Sequence, residues 1–491
     1  MYLDTDLESI QEARENLKLA KVAQKAMANM TQDQVDQIVH CMTQAAIREA
    51  GRLAAMAVDE TGYGKMEDKM TKNLFSAKDV YESIKDKKTV GIISRDEDKK
   101  LLLAAEPVGV VAGIIPSTNP TSTVIFKALI AVKSRNAIVF SPHPSAAKCT
   151  NEAAKVLKEA ANKAGAPDGI ITCITKPTLA SAQELMKHKD TDLILATGGP
   201  GMVKAAYSSG KPAYGVGPGN VPVYIHSSAN IAKAVSQIVH SKTFDYGTIC
   251  ASEQALVVDK AIKNKVKSTL EQAGAYFLDD YEKQRVEAII LRGSGLNPDI
   301  VGRSPQALAK IAGIVIPDNT RLLVAEETNI GKNYPISLEK LSPILAFYTV
   351  TNEQEAGKVC DELLEIGGLG HTVGIHCEDQ QLIESFGVQQ KASRVVVNSG
   401  TTFGGIGATT GISPSMTLGC GTYGNNISSD NIGPEHLLNK KRIAFGIREM
   451  QNEEPARNTA YKESALNAEP SVSKDEIMEI VKSVLKELNF N

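Results

Sequence analysis

The chain has 491 residues but no tryptophan, only 5% aromatic residues and no CxxC spacing among its seven cysteines. The cysteines, at 41, 149, 173, 250, 360, 377 and 420, are odd in number and scattered, which argues against a disulfide framework and a zinc site. His376-Cys377 is adjacent rather than spaced as a ligand pair, so no metal is expected. An excess of positive charge is also missing: 54 basic against 57 acidic residues leave a formal charge of −3, without the electrostatic footprint of a nucleic-acid binder. Apolar runs such as 108–115 fall far short of the roughly 18 residues that a membrane-spanning helix needs. Met1-Tyr2-Leu3-Asp4-Thr5-Asp6 carries acids where a secretory signal carries bases, and a cytoplasmic location is expected.

What is present is an ordinary globular composition, 42% hydrophobic and 23% charged, in a chain too long for one core, so two or three domains are expected. Residues 6–86 have helical spacing of apolar positions and no proline. Extended runs at 89–94 and 100–105 flank the polar turn Arg95-Asp96-Glu97-Asp98 and predict a projecting hairpin within about 89–106. From 109 to 222, short buried-strand runs alternate with amphipathic helices, the pattern of a parallel, doubly wound α/β sheet. A second alternating block runs from 230 to about 399. The divisions expected are 1–229, 230–412, a return segment 413–450 and a tail. Residues 400–426 read as loop, and those near 440–448 as a strand pairing with the hairpin of a neighbouring subunit.

In Phe244-Asp245-Tyr246-Gly247-Thr248-Ile249-Cys250-Ala251-Ser252-Glu253-Gln254, a polar glycine-containing turn presents one cysteine just before a strand. A thiolate in such a place can add to a carbonyl without a serine-type triad. This segment, together with Glu106-Pro107-Val108-Gly109-Val110-Val111, Pro116-Ser117-Thr118-Asn119-Pro120-Thr121, Thr197-Gly198-Gly199-Pro200-Gly201 and Gly215-Val216-Gly217-Pro218-Gly219-Asn220, resembles the CoA-acylating branch of the aldehyde dehydrogenase superfamily in order and spacing. The resemblance covers roughly residues 6–446. It implies a Rossmann-type doubly wound cofactor domain, a second α/β catalytic domain and an oligomerisation hairpin.

The resemblance also implies roles. Cys250 is the expected nucleophile, and Asn119 the amide that stabilises charge on the aldehyde oxygen, although asparagine before a helix is commonly only a cap. Gly198, Gly199 and Gly201 are expected at a dinucleotide pyrophosphate, with Ser117, Thr118, Ser141, His143 and Gly215 around the same cofactor and Glu339 on the nicotinamide ribose. Gly198-Gly199-Pro200-Gly201 is not the GxGxxG fingerprint and would alone be only a tight turn. Ser141-Pro142-His143-Pro144 stands where hydrolytic relatives have a lysine and a glutamate on the adenosine ribose, so NAD is expected with NADP still open. Gly215 replaces the glutamate that activates water in hydrolytic relatives, which points to coenzyme A as acyl acceptor. His371, in Gly367-Gly368-Leu369-Gly370-His371-Thr372, resembles the Gly-His-Thr of acylating relatives and is expected to take the proton of the incoming thiol. Phe403-Gly404-Gly405-Ile406-Gly407 resembles the loop lining the substrate entrance. A Gly/Thr-rich wall with few aromatics leads to the expectation of aldehydes of two to four carbons, propionaldehyde or acetaldehyde among them.

Residues 451–472 are polar and read as a disordered linker. Ser473-Lys474-Asp475-Glu476 then has the form of a capping box, opening a stretch in which Ile477, Ile480, Val481, Val484, Leu485 and Leu488 fall within an arc of about 140°. Such a helix at 473–491 either folds back on the enzyme or docks elsewhere. The tail resembles encapsulation peptides of bacterial microcompartments, which implies a shell-protein partner and a location inside that shell. A homodimer or homotetramer is expected. The competing readings are a hydrolytic enzyme giving free acid and a non-catalytic shell-recruited subunit.

Overall fold

The structure, a computed structural model, describes residues 4–293, 295–450 and 472–487. It divides into two units, one of Met1–Arg95 with Leu102–Ile443, the other of Asp96–Leu101 with Ala444–Asn491.

In the first unit, helices Thr5–Met27 and Gln32–Thr61 open the chain. Asp4 caps the first by accepting from the N–H groups of Asp6 and Leu7, and Thr31 with Gln34 forms a capping box at the second. Gly62 ends the second helix at φ 67°, a left-handed stop that glycine adopts without strain. Alanines and larger apolar residues at helical spacing, among them Ala13, Leu17 and Ala20, are buried. Helix Met66–Leu74 continues into a π-helical turn, Phe75–Asp79.

Strands β1 (Gly91–Asp96) and β2 (Leu101–Pro107) form the hairpin, displaced from the expected runs by one or two residues. Strands β3 (Val110–Ile114), β4 (Ala137–Ser141), β5 (Ile171–Cys173), β6 (Leu193–Thr197) and β7 (Ala213–Val216) form a five-stranded parallel sheet in the order β5-β4-β3-β6-β7. All five strands read as near-continuous apolar runs because both faces are covered. Helix Pro120–Lys133 is mostly apolar and buried along its whole length. Its Lys127 Nζ donates to the carbonyls of Ile114 and Leu195, joining the carboxyl ends of β3 and β6. The strand order reverses direction between β3 and β6, which puts a ligand crevice outside those ends.

Strands β8 (Val221–Ile225), β9 (Glu253–Asp259) and β10 (Ala275–Phe277) begin the second domain, and β11 (Leu291–Arg292) and β12 (Gly295–Leu296) make a small antiparallel pair. With β13 (Leu322–Glu326), β14 (Ile344–Val350), β15 (Gly370–His376) and β16 (Ala392–Val397), the large sheet has the order β10-β13-β14-β9-β8-β15-β16, all parallel. The boundary expected at 229 therefore falls too late. Strand β8 pairs with β9 and β15, so the chain crosses between sheets at 217–220. Two further expectations need correction. The return strand β17 (Leu438–Ala444) pairs with β2 of its own chain, in a sheet of order β1-β2-β17, where the backbone groups of the β2 edge are within reach of the same chain and Lys441 and Glu106 also form an ion pair. The segment read as loop at 400–426 includes the short helix Thr401–Gly405.

Among the described residues no helix is long and apolar enough to cross a membrane. In the second unit, helix Lys474–Glu487 has the expected capping box: Ser473 N–H donates to Glu476 Oε2 at 2.9 Å, and Glu476 N–H to Ser473 Oγ at 3.2 Å. Ile477, Ile480, Val481, Val484 and Leu485 are exposed. Leu488 and nearly all of the expected linker lie outside the described residues.

Candidate active site

Helix Ile231–Thr243 ends in a turn with three successive left-handed residues, Asp245 (φ 47°), Tyr246 (φ 51°) and Gly247 (φ 74°). Only the glycine adopts this region without cost, so the surroundings must hold the other two. The Asp245 carboxylate is the anchor. It accepts from Lys65 N–H at 2.8 Å, Lys69 Nζ at 3.0 Å, Thr248 Oγ1 at 2.6 Å and Lys72 Nζ. Although burial opposes ionisation, Lys72 and Lys69 hold Asp245 below the usual carboxylate range.

The turn delivers Cys250, half-buried just before β9. Burial first, and then Glu339, push its thiol up to about 12, with Arg394 opposing. The resting thiol is therefore protonated at neutral pH and inert until its proton is lost. Around it pack Phe75, Phe244, Ile249, Phe403, Ile406 and Met416. A cavity of about 230 Å³ is bounded by Phe75, Phe244, Phe403, Ile406, Met416 and Lys72. Phe403 stacks on His240 and meets Phe244 edge-on, each at 5.0 Å between ring centroids. The expected Gly/Thr-rich wall is therefore an aromatic one. Few aromatics in the composition did not mean few here, because residues near 75, 244 and 403 converge.

Asn119 precedes helix Pro120–Lys133 but makes no capping hydrogen bond. Instead Nδ2 donates to the Thr248 carbonyl at 3.2 Å and to Thr118 Oγ1 at 3.1 Å, while Oδ1 accepts from Lys72 Nζ at 2.5 Å. The amide thus faces the cysteine turn two residues before Cys250.

His371 is not in a loop: it lies in β15, fully buried. Nδ1 is 3.0 Å from Thr372 Oγ1, and Nε2 has no partner. Burial and then Arg394 push the ring down to about 3, so it is neutral. The neutral ring has one nitrogen free to accept a proton or a hydrogen bond, as the expected role with a thiol requires. Gly219 is where these parts meet. A Cβ there would lie 2.2 Å from the Cys250 carbonyl oxygen and 3.1 Å from His371 Nδ1. Its N–H donates to Glu339 Oε1 at 2.9 Å. Burial raises Glu339 to about 7, against the Gly219 N–H and Lys242.

The remaining candidates sit at the carboxyl edge of the five-stranded sheet: Ser117 and Thr118 after β3, Ser141 ending β4 with His143 beyond it, and Gly198, Gly199 and Gly201 after β6. A Cβ at Gly199 or Gly201 would meet nothing within 4 Å, leaving room at the start of helix Pro200–Tyr207 for a bulky group. His143 Nδ1 is occupied locally, accepting from Ser145 N–H at 3.2 Å. Gly215, within β7, is enclosed: a Cβ would meet Val203 at 2.8 Å and Tyr207 at 2.9 Å. Tyr207 Oη donates to its carbonyl at 3.0 Å and accepts from its N–H at 2.9 Å. A glutamate cannot be added there without displacing that pair.

Sequence reasoning missed Lys69, Lys72, Asp245, Gly219 and Arg394. Lys69 and Lys72 sit three apart on helix Met66–Leu74, in a stretch polar enough to read as a solvated face, and both are buried. Arg394, also buried, donates to the carbonyls of His371 at 2.8 Å and Gly419 at 2.7 Å.

The family model for the aldehyde dehydrogenase family matches residues 4–279, more than half of the chain. The chain belongs to the aldehyde dehydrogenase family. Within it, the chain is 48% identical over 441 residues to the aldehyde-alcohol dehydrogenase of Clostridium acetobutylicum, covering 89% of this chain and 51% of that one. The chain thus spans about half the length of the curated relatives first matched. Among solved structures, an acetylating aldehyde dehydrogenase from Geobacillus thermoglucosidasius has a TM-score of 0.90 at 67% identity, covering 91% of this chain and 99% of that one. A propionaldehyde dehydrogenase from the fucose utilisation microcompartment of Clostridium phytofermentans has a TM-score of 0.80 at 29% identity, covering 88% and 97%.

Proposed function

We propose that this chain is a CoA-acylating aldehyde dehydrogenase, converting a short-chain aldehyde and coenzyme A to acyl-CoA with NAD or NADP as oxidant. The observation that carries this reading is Gly215, whose side-chain position is filled by Val203 and Tyr207, leaving the site without the carboxylate that would activate water. A thioester on Cys250 then outlives hydrolysis and is available to a thiol, and exchange between thioesters retains the activated acyl group. The "acetylating" relative of 67% identity supports the same acceptor.

In this mechanism Cys250 Sγ bonds to the aldehyde carbon and the thiol proton passes through solvent to the former carbonyl oxygen, from which it returns to solvent when the hydride leaves. Asn119 Nδ2 turns one of its two N–H groups, held in the resting site by Thr118 Oγ1 and the Thr248 carbonyl, to the oxygen as it gains charge, a donor of the kind worth about 3–4 kcal/mol. A nicotinamide dinucleotide, when bound, accepts the hydride that turns the adduct into a thioester. Gly198, Gly199 and Gly201 leave space for its pyrophosphate at a helix N-terminus, with Ser117, Thr118, Ser141 and His143 along the same sheet edge and Glu339 toward the ribose. The sulfur of coenzyme A then bonds to the acyl carbon as the Cys250 Sγ–acyl bond breaks, and the proton of the incoming thiol passes to Cys250, restoring its resting protonated form. His371 Nε2 accepts a hydrogen bond from the incoming thiol, and the aromatic cavity takes the carbon chain.

The test is an assay of NADH formation from propionaldehyde with and without coenzyme A, with mass analysis of the protein. Sustained turnover only with coenzyme A, and an acyl group on Cys250 after one turnover without it, support the reading. Equal sustained rates with free acid as product overturn it.

The exposed stripe of helix Lys474–Glu487 supports docking to a microcompartment shell protein, as does the origin of the Clostridium phytofermentans neighbour. Residues 473–491 fused to an unrelated soluble protein should carry it to shells, and glutamates at Ile480 and Leu485 should abolish this. Assembly as a homodimer or homotetramer is checked by sedimentation.

A further inference from the structure

Two lysines on one helix turn are buried against a single carboxylate. Lys69 is 2% exposed, Lys72 3% and Asp245 0%. Holding Asp245 does not require both. Lys69 Nζ bonds it at 3.0 Å, and Lys65 N–H and Thr248 Oγ1 add two more donors. What Lys72 alone reaches is Asn119, with Nζ 2.5 Å from Oδ1, and the same ammonium donates to Thr248 Oγ1 at 2.8 Å.

An asparagine amide has two ends of nearly equal size and opposite character, one accepting and one donating. In this site only the donating end can stabilise an oxyanion, and a flipped amide would aim a lone pair at the developing charge. Of the side chain's other neighbours only the Thr248 carbonyl, which can accept and not donate, favours the same orientation, through a longer contact than that of Lys72. The Thr118 hydroxyl accepts or donates equally well, and the Thr248 carbonyl contact at 3.2 Å is at the long end of the range. An ammonium is a donor only, so a flipped Asn119 would set its NH₂ against NH₃⁺. The charge also polarises the amide and strengthens Nδ2 as a donor.

We propose that Lys72 is a positioning residue for the acylation step: its ammonium holds Asn119 by Oδ1 and so commits Nδ2 to the oxyanion. This rests on the role given to Asn119 above. Asp245 serves it as counter-ion, keeping a positive charge tolerable where both side chains are buried. Thr248, bonded to both Lys72 and Asp245, links the same ion pair to the turn that presents Cys250. The amide donor and the nucleophile are thereby set by one cluster.

The experiment is a double-mutant cycle on the full-length chain. Turnover and KM for propionaldehyde are measured for wild type, Lys72→Met, Asn119→Ala and the double variant, together with the rate at which iodoacetamide alkylates Cys250. Lys72→Met should lower kcat by about 30-fold, less than the roughly 10²–10³ expected when the oxyanion donor itself is removed, with KM and alkylation each changed less than threefold. In the Asn119→Ala background the same substitution should cost less than threefold, because Lys72 acts through Asn119. A full further loss in that background, or a Lys72→Met enzyme within threefold of wild type, overturns the proposal. An alkylation rate that falls in step with kcat also overturns it, since Lys72 would then only support the turn. Lys72→Gln, whose amide accepts either orientation of Asn119, makes the same comparison if the methionine variant does not fold. Wild type without CoA-dependent NADH formation would instead remove the reading beneath the proposal, a result visible before any variant is compared.

Discussion

The two flanks of Cys250 are built in opposite ways. On the Asn119 flank, buried polar groups have several partners each: Asp245 has four donors, Lys72 three acceptors, and Asn119 uses both ends of its amide. On the His371 flank, partners run short and backbone crowds in. His371 Nε2 has none, and Gly219 sits against Cys250 and His371 where no side chain fits. A satisfied network holds its donors still and costs little reorganisation when charge develops. A buried nitrogen without a partner is a place for a group that arrives. The first flank is bonded throughout before any ligand binds; the second keeps one buried nitrogen without a partner, which suits an acceptor that enters later.

Substitutions can break this contrast. Removing the atom between the flanks has the largest effect: Cys250→Ala should lose aldehyde oxidation while keeping cofactor binding, and residual turnover above about one per cent would refute the assignment. Asn119→Ala, on the first flank, should lower turnover by about 10²–10³ with a modest change in KM, as kinetics on both parameters will show. A pure affinity loss would contradict it. His371→Ala, on the second flank, should slow acyl transfer to coenzyme A by about 30-fold and leave the first turnover of NADH nearly unchanged, so that acyl-enzyme accumulates by mass. A slowed burst would place His371 on the other flank's step.

The protonation of Cys250 itself offers a sharper probe. With its thiol pushed up to about 12, the thiolate fraction grows with pH well past the ordinary thiol range. Alkylation of resting enzyme should climb about tenfold per pH unit from 7 to 10 without a plateau. A plateau near 8.5 would mean that burial does not govern the thiol. The smallest effect concerns the tail: deleting residues 451–491 should leave kinetics and oligomeric state unchanged. A lower melting temperature or lost subunits would make the helix part of the enzyme.

Much of the frame was legible. Apolar runs at 110–115 and 193–196 became β3 and β6, and the glycine- and asparagine-bearing turns after them lie at the sheet edge where a ligand crevice forms. Asn119 was legible as a position but not as a contact, because the cap and the oxyanion donor share one sequence signal. The cap reading fails only because Lys72 and Thr248 claim the amide. Gly215 was legible as a missing carboxylate, while Tyr207 bracketing its peptide was not. His371 was misplaced because glycines before it suggested a loop, whereas Gly370, at φ 79°, starts strand β15 directly.

By itself the sequence determined the alternation of strands and helices, the division into two parallel sheets, the turn that presents Cys250 and the amphipathic helix of the tail. These depend on periodicity and on local turn chemistry, which act over a few residues. Only the tertiary structure decided which charges share a dry volume. Lys72 meets Asn119 across 47 positions and Thr248 across 176. A lysine reads as a surface residue until packing removes its water, and its partners are then set by whatever the fold brings within about 3 Å, a distance at which sequence spacing carries no information.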